Sequence, residues 1–157
     1  MGEKKMNTIL NDNDRFKIID RVNGLTISNK NLWGKMNVNE MLCHVTDQIK
    51  MASGHIETKY RGNFILNTIV KWLSLTVLPV PKGKVQTTKE LNQEKDGTKP
   101  VGFDQDRDQL IKVIGEFDGT YPANSKIVHP VFGPMNKKQW GRLIYVHLDH
   151  HLRQFGV

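Results

Sequence analysis

The chain has 157 residues, of which 38% are hydrophobic and 25% charged, a balance that argues against disorder and suits one domain, residues 1–157, with its own core. A single cysteine, Cys43, excludes an internal disulfide and fits a reducing cytoplasm. The net charge of +7 raises nucleic-acid binding. However, Lys4-Lys5, Lys82 and Lys84, and Lys137-Lys138 form no long run and no aromatics interleave with them, so the reading is a solvated basic surface with no nucleic-acid partner.

The opening stretch "MGEKKM" shows no charged-then-apolar leader, and Met6 stands where a myristoylation signal needs Ser or Thr. The expectation is a chain that is neither secreted nor lipidated. Five helical segments follow, with no convincing run of strands. From about Asp14 to Val22, residues Phe16, Ile19 and Val22 recur at helical spacing until Gly24 stops them. The second helix begins at "NVNE", where Asn37 can cap and Glu40 can close a capping box. Its apolar stripe runs through Val38, Met41, Leu42, Val45, Ile49 and Ala52, and Gly54 ends it.

The third segment, "NFILNTIVKWLSLTVLPVP", is apolar on nearly every face. It is slightly short for a membrane span and carries Lys71 in its middle. A bundle helix buried on several sides, or one covering a subunit interface, is expected rather than a membrane anchor. The fourth helix begins at Asp104, with Asp106 and Asp108 near its start where carboxylates suit the dipole. Leu110, Ile111, Ile114 and Phe117 form its stripe, and Gly119 ends it. The fifth is capped by Asn136 with Gln139 three residues on, and runs to about Gln154. Two long polar connections, roughly Pro81 to Phe103 and Thr120 to Met135, cross between helices or shape a site. The architecture expected is all-α: a four-helix bundle with an additional helix and long crossover loops.

The last helix carries "HLDHHLRQF", His147 to Phe155. Projected at about 100° per residue, His147 and His151 fall on one stripe with Trp140, Leu143, Ile144 and Gln154. Arg142, Asp149 and Arg153 fall opposite, and His150 sits on the flank. Two imidazoles and an amide on an apolar face must be hydrogen-bonded or ligated. Core histidines satisfied by neighbouring carbonyls or carboxylates are one reading. A metal is the other, since i, i+4 spacing stacks both rings within reach of one ion. A third ligand would then come from elsewhere. His44, at the edge of the second helix's stripe, is the best candidate. His55 lies past the helix end, and His129 lies in the loop "VHPVFG". Cys43 points about 100° away from His44 and is expected to pack rather than ligate.

"MNVNEMLCHVTDQ" and "WGRLIYVHLDHHLRQFG" resemble the first and last histidine helices of the DinB/YfiT-like superfamily, and "HPVFGPMNKKQW" resembles one uncharacterised subgroup of it. The resemblance covers roughly Asn31 to Met51 and His129 to Val157. It implies a four-helix bundle of up-down-down-up topology, a homodimer, and a divalent ion held by three histidines. Carried over residue by residue, the metal ligands are His44, His147 and His151, with no departure from that pattern. Gln154 matches the family glutamine and Asp47 an acidic position; with His150 and His129 they are the pocket and supporting candidates. Nickel or zinc is the metal implied first, manganese or iron next. The resemblance implies a cytoplasmic metal-dependent enzyme acting on a small molecule. It would transfer a low-molecular-weight thiol, such as bacillithiol or mycothiol, to an electrophile, or act as a hydrolase. A non-catalytic metal-binding or structural bundle is the alternative. Neither membrane nor nucleic acid is expected as partner.

Overall fold

A computed structural model describes residues 6–76, 82 and 88–157. Lys4-Lys5, Lys84 and the part of the third apolar segment beyond Thr76 lie outside the described residues. The first helix, α1 (Asp12–Asn23), is capped by Asn11, whose side chain accepts the Asp14 N–H at 3.1 Å. Asp12 and Asp14 in its first turn favour the positive end of the dipole. Its buried residues are Ile18 and Val22, whereas Phe16 is 69% exposed. The stripe is therefore rotated from the one expected through Phe16.

Helix α2 (Val38–Ala52) starts with both arms of the predicted capping box: Glu40 N–H donates to Asn37 Oδ1 at 2.9 Å, and Asn37 N–H donates to Glu40 Oε2 at 2.8 Å. Every residue from Met41 to Ile49 is buried. This helix runs through the middle of the molecule, so its polar side chains His44, Thr46, Asp47 and Gln48 are buried with its aliphatic ones. Such groups need internal partners.

The third segment departs from one of its two expectations, a bundle helix buried on several sides. A π-helical turn, Leu66–Val70, runs into a short α3, Lys71–Thr76. Phe64, Ile65, Ile69 and Trp72 are each more than half exposed, and of residues 64–76 Leu75 alone is buried. The segment lies against α5 on one side, not buried on several. Lys71 Nζ reaches the Pro134 carbonyl at 2.7 Å, and the Leu75 carbonyl accepts from Arg142 Nε at 2.9 Å. A 3₁₀ turn at Lys89–Leu91 and an irregular stretch then lead to α4.

Helix α4 (Phe103–Thr120) turns Leu110, Ile114 and Phe117 into the core, and the Asp106 carboxylate accepts the Val101 and Gly102 N–H groups just before its start. The polar connection after it contains a correction to the all-α expectation. Strands β1 (Ile127–His129) and β2 (Gly133–Met135) pair antiparallel, with Ile127 opposite Met135 and His129 opposite Gly133. Tyr121 Oη donates to the Met135 carbonyl at 2.9 Å, and Trp140 Nε1 donates to the Ile127 carbonyl at 3.1 Å. These bonds seat the hairpin on the core, where three-residue strands would not hold alone.

Helix α5 (Lys137–Gln154) opens with the second predicted capping box, Asn136 and Gln139, both arms at 3.0 Å. Trp140, Leu143, Ile144, Leu148 and Leu152 are buried, each contributing on the order of 1.5–3 kcal/mol by leaving water. The chain is thus mostly helical with one small two-stranded sheet. Helices α1 and α2 each pack against both α4 and α5, which brings the middle of α2 alongside the C-terminal half of α5. None of the helices, among the described residues, is long and apolar enough to cross a membrane.

Candidate metal centre

His44 projects from the buried middle of α2, and His147 and His151 from successive turns of α5. The three potential ligand atoms lie within 4.8 Å of one another. Nε2 of His147 is 3.0 Å from Nε2 of His44 and 3.1 Å from Nε2 of His151. The rings stand edge to face, with centroids 4.6–4.8 Å apart. Two nitrogens bound to one ion at about 2.0–2.1 Å, with bond angles of about 90–110°, are about 2.8–3.4 Å apart. The His147 pairs already have that spacing.

The outer nitrogens decide where the protons sit. His44 Nδ1 is 2.8 Å from the Leu91 carbonyl, an acceptor only, so Nδ1 carries the hydrogen and Nε2 presents a lone pair. Gln154 Nε2 donates to the Trp33 carbonyl at 2.7 Å, which turns Gln154 Oε1 toward His151 Nδ1 at 2.7 Å. His151 Nδ1 therefore also carries the hydrogen, and its Nε2 also presents a lone pair. A proton on His147 Nε2 can serve one of these lone pairs, not both. Either way, His147 Nδ1 is buried and has no hydrogen-bond partner among the described residues.

Protonation does not relieve this arrangement. Burial pushes the His151 imidazole down to about 3, with His44 and His150 nearby lowering it further against the Gln154 bond. Burial first, and then the neighbouring histidines, holds His147 well below the usual range. His44 is lowered mainly by burial, against the Leu91 bond and Asp47, which raise it. The cluster is three neutral imidazoles, two of them with lone pairs turned toward His147 Nε2, a donor set suited to a divalent ion.

The other candidates take different places. Asp47 is fully buried and accepts from Thr98 N–H at 2.8 Å, Thr98 Oγ1 at 2.6 Å and Gln93 Nε2 at 3.2 Å. It clamps the connection that carries Leu91, and so reaches His44 indirectly. His150 is half-buried beside the cluster, its ring 5.1 Å from that of His151 and 5.7 Å from that of Trp33. Lys82 Nζ lies 4.4 Å from the centre of the Trp33 ring. His129 Nδ1 accepts the Val131 and Phe132 N–H groups, both at 3.1 Å, and its ring stacks on Phe132. It is anchored to the hairpin turn. His55 is exposed and outside the cluster.

Cys43 is buried, and burial, with Asp106 and Asp47 nearby, pushes its thiol up to about 12. It stays protonated and packs. Sequence reasoning missed Leu91 and Trp33. Both act here through backbone carbonyls, which leave no mark on residue type.

The chain belongs to a family described as "Protein of unknown function (DUF1569)", whose model matches residues 6–156. No curated protein matches it, and no solved structure does.

Proposed function

We propose that this member of the family is a metal-dependent enzyme whose divalent ion, nickel or zinc first, is held by His44, His147 and His151 through Nε2. The observation that carries the reading is the proton count: two lone pairs fixed by Leu91 and Gln154 face a third imidazole that can satisfy only one of them. A cation at the point of convergence would satisfy all three. When bound, such an ion supplies Lewis acidity toward a thiol, a water or a carbonyl.

The remaining work falls to the chain. Burial keeps the imidazoles unprotonated, and the Leu91 carbonyl and the Gln154 amide hold the two outer rings in one tautomer. His147 is only half-buried and marks the side from which a small molecule would arrive. The His150 ring lies beside that of His151, and the Trp33 ring beside that of His150. The reaction class we favour is transfer of a low-molecular-weight thiol to an electrophile, with hydrolysis next. The setting would be a cytoplasmic homodimer built as an up-down-down-up four-helix bundle.

Elemental analysis of untagged protein tests the metal. We expect about one ion per chain, and a rise in the thermal midpoint of the stripped protein on adding nickel or zinc. His151→Ala abolishes loading and His55→Ala leaves it intact. Protein without metal whose midpoint ignores both ions would remove the proposal. A second reading, a non-catalytic metal-binding bundle, draws on the near-complete burial of His44 (3%) and His151 (7%). Screening thiols against model electrophiles with loaded protein separates the two, since turnover that disappears in His147→Ala excludes the non-catalytic one.

A further inference from the structure

The connection between α1 and α2 is stitched onto the end of α5 by bonds to backbone carbonyls there. Leu32 N–H donates to the Gln154 carbonyl at 2.8 Å, and Asn29 Nδ2 donates to the Phe155 carbonyl at 3.0 Å. These bonds cap carbonyls that the helix end leaves open. The Gln154 side chain then links this connection to the centre. Its Nε2 donates to the Trp33 carbonyl, its Oε1 accepts from His151 Nδ1, and the residue is 4% exposed.

Gly34 makes room for this link. Its φ is +79°, and a Cβ placed there would lie 2.7 Å from Gln154 Nε2, closer than a carbon and an amide nitrogen can sit. Asn31 Nδ2 holds the turn from the other side, donating to the Gly34 carbonyl at 2.6 Å and to the Trp33 carbonyl at 3.3 Å.

The amide orientation matters for a simple reason. Were Gln154 turned over, its NH₂ group would face His151 Nδ1 and demand a lone pair there. The hydrogen would then move to Nε2, and the lone pair now aimed at His147 would be lost. The Trp33 carbonyl forbids that flip, because it accepts and cannot donate.

We propose that Gln154, aimed by the Trp33 carbonyl and admitted by Gly34, is a positioning residue that holds His151 as the Nδ1–H tautomer and keeps its Nε2 lone pair turned into the three-histidine cluster. The assignment deepens the metal-centre reading and rests on it for its functional consequence. The tautomer itself does not need a metal to be present.

The test therefore has two independent readouts. Long-range ¹H–¹⁵N correlation on the metal-free protein reports which nitrogen of His151 carries the proton, and competition with a chromophoric chelator reports zinc affinity. The wild-type apo protein should show the Nδ1–H form. Gln154→Met, which keeps volume but removes donor and acceptor, should mix the tautomers and weaken zinc by about 10–100-fold. Gln154→Glu retains an acceptor for Nδ1–H and should keep the tautomer while losing the bond to Trp33. Gly34→Ala touches neither ring, yet should weaken zinc about 10-fold or more by displacing the amide.

Should Gly34→Ala fail to fold, the Met and Glu variants carry the decision. An unchanged His151 tautomer in Gln154→Met, or zinc affinity within twofold of wild type in that variant, overturns the proposal. Wild-type protein that shows the tautomer lock but binds no zinc overturns the metal reading instead, and leaves the lock standing.

Discussion

Asp47, inside α2, takes both hydrogen bonds that Thr98 can donate, the backbone N–H at 2.8 Å and the hydroxyl at 2.6 Å. Gln93 Nε2 adds a third at 3.2 Å. Through them a buried carboxylate holds the segment that supplies the Leu91 carbonyl to His44. Asp47→Ala leaves Thr98 N–H and the Gln93 amide without their acceptor, and should cost about 2–4 kcal/mol of stability. Urea unfolding measures that loss. Zinc affinity should fall as well, because His44 loses the partner that fixes its tautomer. A variant as stable as wild type, with unaltered affinity, would mean the segment is held by other means.

Arg21 on α1 and Asp149 on α5 meet at 2.7 Å, and Arg21 Nη2 also donates to the Val157 carbonyl at 2.9 Å. The polar face of α5 is in part an interhelical contact, and both side chains are only about a quarter exposed (26% and 23%). Arg21→Ala should cost about 1–2 kcal/mol, more than an exposed pair, because it removes a charged bond and uncovers the Val157 carbonyl. A double-mutant cycle with Asp149→Ala should return a coupling of about 0.5–1 kcal/mol. Coupling near zero would make the pair incidental.

What the sequence makes legible here is local. The capping boxes at Asn37–Glu40 and Asn136–Gln139 are written within four residues, and both form. His147 and His151 could be placed on the apolar face because helical spacing fixes relative direction. His44 was visible only as a residue at the edge of a stripe. Choosing it as the third member needed either the resemblance or the packing of α2 on α5. Its partner Leu91 lies 47 residues away and acts through a carbonyl, which no side-chain pattern encodes. The hairpin escaped because three-residue strands around Pro130 and Pro134 are too short to show alternation. Residues 64–76 misled for a different reason: hydropathy says that Phe64, Ile69 and Trp72 favour burial, not what would bury them.

His129 carries a pH dependence whose direction follows from its bonds. Its Nδ1 accepts two backbone N–H groups, and burial, with Lys71 nearby, pushes its pKa from 6.5 down to about 4. The unfolded chain therefore binds this proton more readily than the folded one. Stability is whole above about pH 6.5 and is lost as pH falls toward about 4, by at most roughly 2–3 kcal/mol for this group. The buried histidines of the three-histidine cluster add to the loss in the same direction. His129→Leu should start less stable at pH 7 and lose less between pH 7 and 4. Denaturant unfolding across that range reads the difference. Parallel curves for the two proteins would place the titration elsewhere.

The lowered pKa values also set how many protons a metal must displace. Three ordinary histidines at pH 6.0 would be mostly protonated, and an ion binding them would release about two protons. Here His151 lies at about 3, His147 well below its ordinary value and His44 below it. Lone pairs are already bare, so binding at pH 6.0 should release far fewer. Calorimetric titration of zinc into the stripped protein, in two buffers of different ionisation enthalpy, counts those protons directly. Nearly equal apparent enthalpies are expected, and affinity should change little between pH 7 and 6. A release of two protons would show that the apo histidines are charged, and the converging lone pairs would then be absent before metal arrives. Reloading after chelation should likewise be as fast at pH 6.0 as at 7.0, because no ligand has to lose a proton before the ion binds.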